Sequence, residues 1–229
     1  MSGYAPRRVA VLLPTLLHAS QGKQGMFAVL KPDDAVVFWE SCVRDWMERF
    51  ARVPHIERYV LVRPDDHRYR SDAQRWGWTV LPTWSAHLDA SVVVDAAERA
   101  LVNADAVLLV SPVAPSVPMR AVHQLLDSLG AHDVVFGPTE QEGYWAVAAR
   151  SHALQLLRQI SIGSALVQSD LEEHCRHERA SFAVGETWFE LDTIADVQRL
   201  ALESSGTASS ACPVSPRSVE FARLLLSSS

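Results

Sequence analysis

Two glutamates spaced two apart, Glu140 and Glu142, lie in the segment Gly137-Pro138-Thr139-Glu140-Gln141-Glu142-Gly143. A bend between apolar stretches brings such carboxylates close enough to share a hard divalent cation, Mg2+ or Mn2+, which favours oxygen ligands. Solvation is the plain alternative for both. On this reading Glu140 and Glu142 are the candidate catalytic residues, and Glu142 is the candidate metal ligand. Tyr144 and Trp145 follow directly and offer aromatic surface to a nucleobase or an acceptor.

A second group sits near the N-terminus. Gly22, Lys23 and Gly25 fall in a polar loop, residues 14–31. Glycines let backbone approach a phosphate, and a lysine neutralises it. The pattern is neither Gly-Lys-Ser/Thr nor G-x-G-x-x-G, so a surface loop without a ligand stays open as an alternative. Ser111 begins a third loop, Ser-Pro-Val-Ala-Pro-Ser-Val-Pro, and joins the candidate donor-binding set. That loop has no ionisable side chain and also fits a stiff turn. His174, Cys175 and His177 invite a zinc reading, but zinc needs three or four converging ligands. With Glu172, Glu173 and Arg176 beside them, a solvated helix face is expected. No Gly-x-Ser-x-Gly elbow is present.

The elements that must position these residues follow from periodicity. Val9–Leu13, Tyr59–Val62, Val80–Leu81, Ala106–Val110, Val134–Phe136, Tyr144–Ala149 and Trp188–Leu191 read as strands. A helix starts near Pro32–Asp33 and carries Val37, Phe38, Cys42, Val43, Trp46, Met47 and Phe50 at three- and four-residue steps. Further helices are expected over 89–103, 118–130 (with Gly130 as C-cap), 152–159, 164–176, 193–202 and 218–226. Gly137-Pro138 is expected to break its strand. The alternation predicts an α/β fold with a mostly parallel central sheet flanked by helices. Ligands then bind beyond the carboxyl ends of the strands, where loops 14–31, 111–118 and 137–143 emerge. Residues 1–203 form the domain on this reading, and 204–229 form a Ser/Pro-rich linker with a short helix.

Composition narrows the function. The chain of 229 residues is 48% hydrophobic and 21% charged, with a net charge of −6 and a pI near 5.8. That balance disfavours nucleic acid, whose phosphates call for a basic surface. No apolar run reaches the length of a membrane span, and no secretory segment is evident. Three widely spaced cysteines, Cys42, Cys175 and Cys212, read as reduced thiols, and a cytoplasmic protein is expected.

Gly137 to Ala149, the turn Pro115-Ser116-Val117-Pro118 and the segment Glu190-Leu191-Asp192-Thr193 occur in an order that resembles a known family. It is the bacterial radical-SAM/selenodomain-associated glycosyltransferase-like family, a GT-A branch of the nucleotide-diphospho-sugar transferases. The resemblance covers roughly residues 8–203. Pro32-Asp33-Asp34-Ala35 resembles the family's Pro-Glu-Glu-Ala run, which places Lys23 on the family lysine, while Gln24-Gly25-Met26 replaces Thr-Arg-Leu. Pro115 and Pro118 register the Gly-Ser-Asp-Ser-Pro signature and put Val113 where the family's metal-ligand aspartate stands. Gly137, Pro138, Gly143 and Tyr144 fit Gly-Pro-Ala-x-Asp-Gly-Gly-Tyr, with Gln141 and Glu142 in place of Asp-Gly. Glu190 to Val197 resembles Asp-x-Asp-Thr-Pro-Glu-Asp-Leu. No Asp-x-Asp occurs in the chain.

The resemblance implies glycosyl or nucleotidyl transfer from a nucleotide-activated donor. Lys23 would hold phosphate, and Glu140 or Glu142 would replace the lost ligand for Mg2+ or Mn2+. The altered acidic positions equally suit a non-catalytic relative acting as a binding or partner subunit. The C-terminal tail is suited to association with a second copy or another protein.

Overall fold

The computed structural model describes residues 8–15, 30–85, 87–159, 167–206 and 216–227. Among them, seven strands make one sheet: β1 (Val9–Pro14), β2 (Ile56–Val62), β3 (Thr79–Pro82), β4 (Ala106–Val110), β5 (Val134–Pro138), β6 (Tyr144–Arg150) and β7 (Phe182–Val184). Their spatial order is β3-β2-β1-β4-β6-β5-β7. All neighbours are parallel except that β6 runs antiparallel to both β4 and β5. This is the predicted α/β fold with a mostly parallel sheet.

Strand alternation divides the core. In β1, Ala10 and Leu12 face one apolar cluster, and Val9, Val11 and Leu13 face the other. The first side is covered by α3 (Ala90–Ala100), a 3₁₀ segment (Ser151–Gln159) and α5 (Val167–His177). The second side is covered by α1 (Pro32–Ala51), α2 (Arg70–Trp76) and α4 (Met119–Ser128). A third cluster forms on the outer side of α1, where Phe38 and Cys42 meet α6 (Ile194–Gly206) and α7 (Pro216–Ser227).

Local chemistry fixes the helix ends. α1 has Pro32 in its first turn with Asp33 and Asp34 there, and Arg49 in its last turn, matching the helix dipole. The side chain of Asp89 caps α3 by accepting from the Val92 N–H at 2.9 Å.

Several expectations are corrected. Gly130 does not cap α4: Leu129 fills that position in right-handed helical geometry, and the left-handed glycine cap is Gly77 at the end of α2. α2 itself was hidden by its charge-rich sequence. The region 188–191 makes a single bridge, Thr139 to Trp188, while the edge strand is Phe182–Val184. Cys175 is not on a solvated face: Val167, Leu171 and Cys175 recur every four residues and bury together. The loop with Gly22, Lys23 and Gly25, and Cys212, lie outside the described residues. No described helix is long and apolar enough to cross a membrane.

β5 does not break after Phe136. It includes Gly137 and ends at Pro138, with a register irregularity between the two. A Cβ on Gly137 would stand 2.5 Å from the Trp145 ring, so only glycine lets this strand pass the indole. Gly137→Ala is expected to destabilise the fold by about 2 kcal/mol through overpacking, measured by denaturant unfolding.

Candidate functional site

The carboxyl edge of the sheet gathers three loops. At the end of β1, Thr15 donates through its N–H and its hydroxyl to the Leu61 carbonyl, at 3.0 and 2.8 Å, and accepts from the Trp39 indole at 3.0 Å. β1 and β4 are adjacent, so the loops that follow them leave the sheet about 5 Å apart. Ser111 is buried after β4, with its N–H on the Trp145 carbonyl at 2.9 Å. The proline loop 111–118 is held from α1 by Arg49. Its guanidinium donates to the Pro115 and Val117 carbonyls and lies 4.3 Å over the Trp46 ring.

Residues 185–191 run between this loop and the β5–β6 hairpin. The Gly185 N–H donates to the Phe136 carbonyl at 2.7 Å, and the Trp188 N–H to Pro138 at 3.0 Å. The Glu140 N–H donates back to the Trp188 carbonyl at 2.8 Å, and the Leu191 N–H reaches the Val113 carbonyl at 2.8 Å. The Trp188 indole donates to the Ser116 hydroxyl at 2.8 Å. In this extended segment Phe189 and Leu191 enter the apolar cluster under α7. Glu190 turns instead to the hairpin.

The Glu190 carboxylate accepts from the Thr139 hydroxyl at 3.1 Å, and its backbone N–H donates to the Gln141 side chain at 3.2 Å. A Cβ on Gly143 would be 2.6 Å from that carboxylate, so the hairpin glycine makes the room. Burial raises the Glu190 pKa to about 7. The Thr139 bond opposes this, and the nearby charges of Asp192 and Asp196 add to it. Asp196 is itself committed to a capping arrangement. It accepts from the Thr193 N–H and hydroxyl, both at 2.7 Å, and from the Asp192 N–H at 3.2 Å, while its own N–H donates to Thr193 Oγ1 at 3.3 Å.

The residues singled out from sequence do not all meet. Glu140 pairs with Arg199 at 2.6 Å, and that guanidinium lies 4.1 Å over the Phe189 ring. Glu142 is exposed and holds a left-handed backbone at φ 63°. Among the described residues no three His, Cys, Asp or Glu side chains gather to hold a metal. The remaining segments contain no Asp or Glu in their sequence. Tyr144 and Trp145 point to opposite faces of the sheet. Trp145 is 0% exposed, with its indole donating to the Glu186 carbonyl at 2.8 Å, so it has no ring face for a ligand. Tyr144 is buried beside Phe136, with ring centroids 6.4 Å apart; burial, then the Glu190 charge, pushes its phenol pKa up. Val113 is 2% exposed within an apolar cluster.

Glu190 was visible in the sequence only as part of the resemblance. The usable signal was its place between two strand-like apolar residues, Phe189 and Leu191. A second feature of the same edge is a cleft of about 440 Å³ after β2, lined by Arg63, Asp65, Asp66, His67 and Arg68. Its cations are engaged: Arg63 with Asp65 at 2.9 Å, and Arg68 with Asp66 at 2.6 Å and Glu40 at 3.1 Å. The Thr83 N–H donates to the Val62 carbonyl at 3.0 Å, which brings the 88% exposed Trp84 to this end of the sheet.

Residues 46–164, just over half of the chain, match a family described as "Uncharacterized protein conserved in bacteria (DUF2064)". The chain belongs to that family. Its fold is similar to that of a protein from Desulfovibrio desulfuricans G20 assigned as a nucleotide-diphospho-sugar transferase. That match has 19% identity and a TM-score of 0.74, over 99% of this chain and 96% of that one. It is also similar to CMP:2-keto-3-deoxy-manno-octonic acid synthetase complexed with CTP, with 16% identity, TM-score 0.57 and coverage of 87% and 100%. A third likeness is to 4-diphosphocytidyl-2C-methyl-D-erythritol synthase from Anaerococcus prevotii DSM 20548, with 9% identity, TM-score 0.57 and coverage of 98% and 97%. At these identities the likeness is one of fold. No curated protein matches the chain.

A carboxylate whose pKa is raised on folding strains the folded state once it ionises. The stability is present below the ordinary glutamate range and declines as pH rises toward about 7. Glu190→Gln is therefore expected to stabilise the protein by roughly 2–3 kcal/mol at pH 8 and to have little effect at pH 4, read by denaturant unfolding at both.

Proposed function

We propose that this protein is a cytoplasmic, nucleotide-dependent transferase of the radical-SAM/selenodomain-associated branch, moving a glycosyl or nucleotidyl group, with Glu190 as its proton acceptor. The observation that carries this reading is a half-buried carboxylate at the carboxyl edge of the sheet, held by Thr139 and poised to titrate near neutrality. Nucleotide enzymes of similar fold, one in complex with CTP, support a nucleotide as donor. Two buried free thiols suit a reducing compartment.

In this mechanism the donor phosphates lie against the loop after β1, where Lys23 neutralises them. Trp84 and the cleft after β2 give the donor its outer wall. An acceptor hydroxyl approaches Glu190 from the hairpin side. Glu190, ionised, takes the hydroxyl proton as the oxygen attacks; the nucleotide portion leaves in glycosyl transfer, and pyrophosphate leaves in nucleotidyl transfer. Thr139 and Gln141 hold the carboxylate and its backbone in place.

Mg2+ or Mn2+ fits the protein poorly. Val113 presents an apolar side chain inside a cluster, Glu140 is neutralised by Arg199, and Asp196 is used in capping. No step is therefore routed through a cation. The same facts favour a second reading, a non-catalytic member that acts as the binding subunit of a partner protein.

Calorimetry with CTP, other nucleoside triphosphates and sugar nucleotides, with and without Mg2+, separates the two. The transferase reading expects binding of at least one nucleotide, weakened about tenfold or more by Lys23→Ala. Absence of binding to every nucleotide would sink it in favour of the partner reading. With a substrate in hand, Glu190→Gln is expected to lower turnover by ~10²–10⁴-fold with little change in affinity. The wild-type rate should rise as pH passes about 7, as a base in its ionised form requires.

A further inference from the structure

The C-terminal helix α7 lies outside the stretch matched to the family, yet it is anchored with care. Its N-terminus is received by a buried carboxylate of α1. Asp45 accepts from the Arg217 N–H at 3.3 Å and the Ser218 N–H at 2.9 Å. The Arg217 guanidinium stands 3.6 Å from Asp45, 2.6 Å from Glu48 and 5.2 Å over the Trp76 ring. Burial pushes the Asp45 pKa up, and the Ser218 bonds pull it back. Leaving such a carboxylate without these donors would be costly, so the anchor is specific in place and direction.

From that anchor α7 buries Val219 and Ala222 and stacks Phe221 on Phe38, with centroids 5.6 Å apart. The same apolar cluster contains Phe189 and Leu191, the two residues that flank Glu190. Alternation along the extended segment therefore sets this shared cluster on one side of the backbone and the Glu190 carboxylate on the other, toward Thr139 and the hairpin.

We infer that α7 is a positioning element of the Glu190 site, with Phe221 and Ala222 acting through Phe38 and the apolar cluster they share with Phe189 and Leu191. Only the word "site" rests on the functional reading above; the mechanical link stands on packing. The helix fixes the height of residues 189–191 against the hairpin, and thereby the Glu190 contact with Thr139. The charged groups that face Glu190 are Asp192 and Asp196, and neither belongs to α7.

The test uses the full chain with Phe221→Ala, Phe221→Leu and Ala222→Asp, the last placing a charge in the buried interface so that docking is lost. Two signals are followed by NMR: hydrogen exchange at the Glu190 and Leu191 amides, and the pH titration of the Glu190 side-chain carboxyl, assigned with Glu190→Gln. Phe221→Ala and Ala222→Asp are expected to speed exchange at both amides at least tenfold. They should also lower the Glu190 midpoint from about 7 to below 6. Phe221→Leu should restore both, and the amides of Val107, Leu108 and Leu109 should stay protected throughout. Unchanged exchange and midpoint in Ala222→Asp would overturn the inference. So would loss of protection in β4 to the same extent, because α7 would then serve the whole fold. A nucleotide-transfer defect absent from Glu190→Gln would remove the functional reading and leave this mechanical link intact.

Discussion

The hydrogen bond from the Leu191 N–H to the Val113 carbonyl, with the paired bonds of Trp188 to Pro138 and Glu140, sets the geometry of the carboxyl edge. These bonds lie outside the regular strands. They join three pieces of chain that the sheet alone leaves independent: the proline loop, the hairpin and the segment before α6. With that segment fixed, strand-like alternation sends Phe189 and Leu191 one way and Glu190 the other. The burial of the carboxylate, and its high pKa, are consequences of this backbone arrangement more than of any single neighbour.

Much of the fold could be read in advance because it rests on local rules. Ala106–Val110 has the continuous apolar run of a strand covered on both faces, and it is buried at every position. Pro32 with two following aspartates announces α1. The site was harder. Glu140 and Glu142 attracted attention by spacing, but side-chain partners cannot be read from spacing, and Arg199, some sixty positions on, engages one of them. Gly137-Pro138 looked like a strand end because both residues disfavour strands in general. The close approach of the Trp145 ring, a tertiary fact, reverses that rule at Gly137, and the strand ends one residue later at Pro138. Tyr144 and Trp145 are aromatic neighbours in sequence, and strand geometry separates them onto opposite faces.

The apolar character of position 113 has a physical meaning. Val113 is a well-packed member of the cluster formed by α1, α4 and the sheet. An aspartate there would be a charge among apolar groups, costly unless a cation or donors came with it. The chain keeps its unusual carboxylate one loop away, at Glu190. Gln141, in turn, spans from the Glu190 backbone to Asp196, tying the hairpin to the start of α6.

The position of β1 has a consequence for how the protein is made. This first strand lies in the middle of the sheet, and its partners are β2, beginning at residue 56, and β4, beginning at residue 106. Until both have been synthesised, an entirely apolar segment that ends buried on every residue has no partner to lie beside. Parallel pairing across such separations is slow, and an unpaired apolar strand is a template for wrong contacts. The ribosome therefore releases β1 long before its partners, and its pairing stays incomplete until the chain has grown past residue 106.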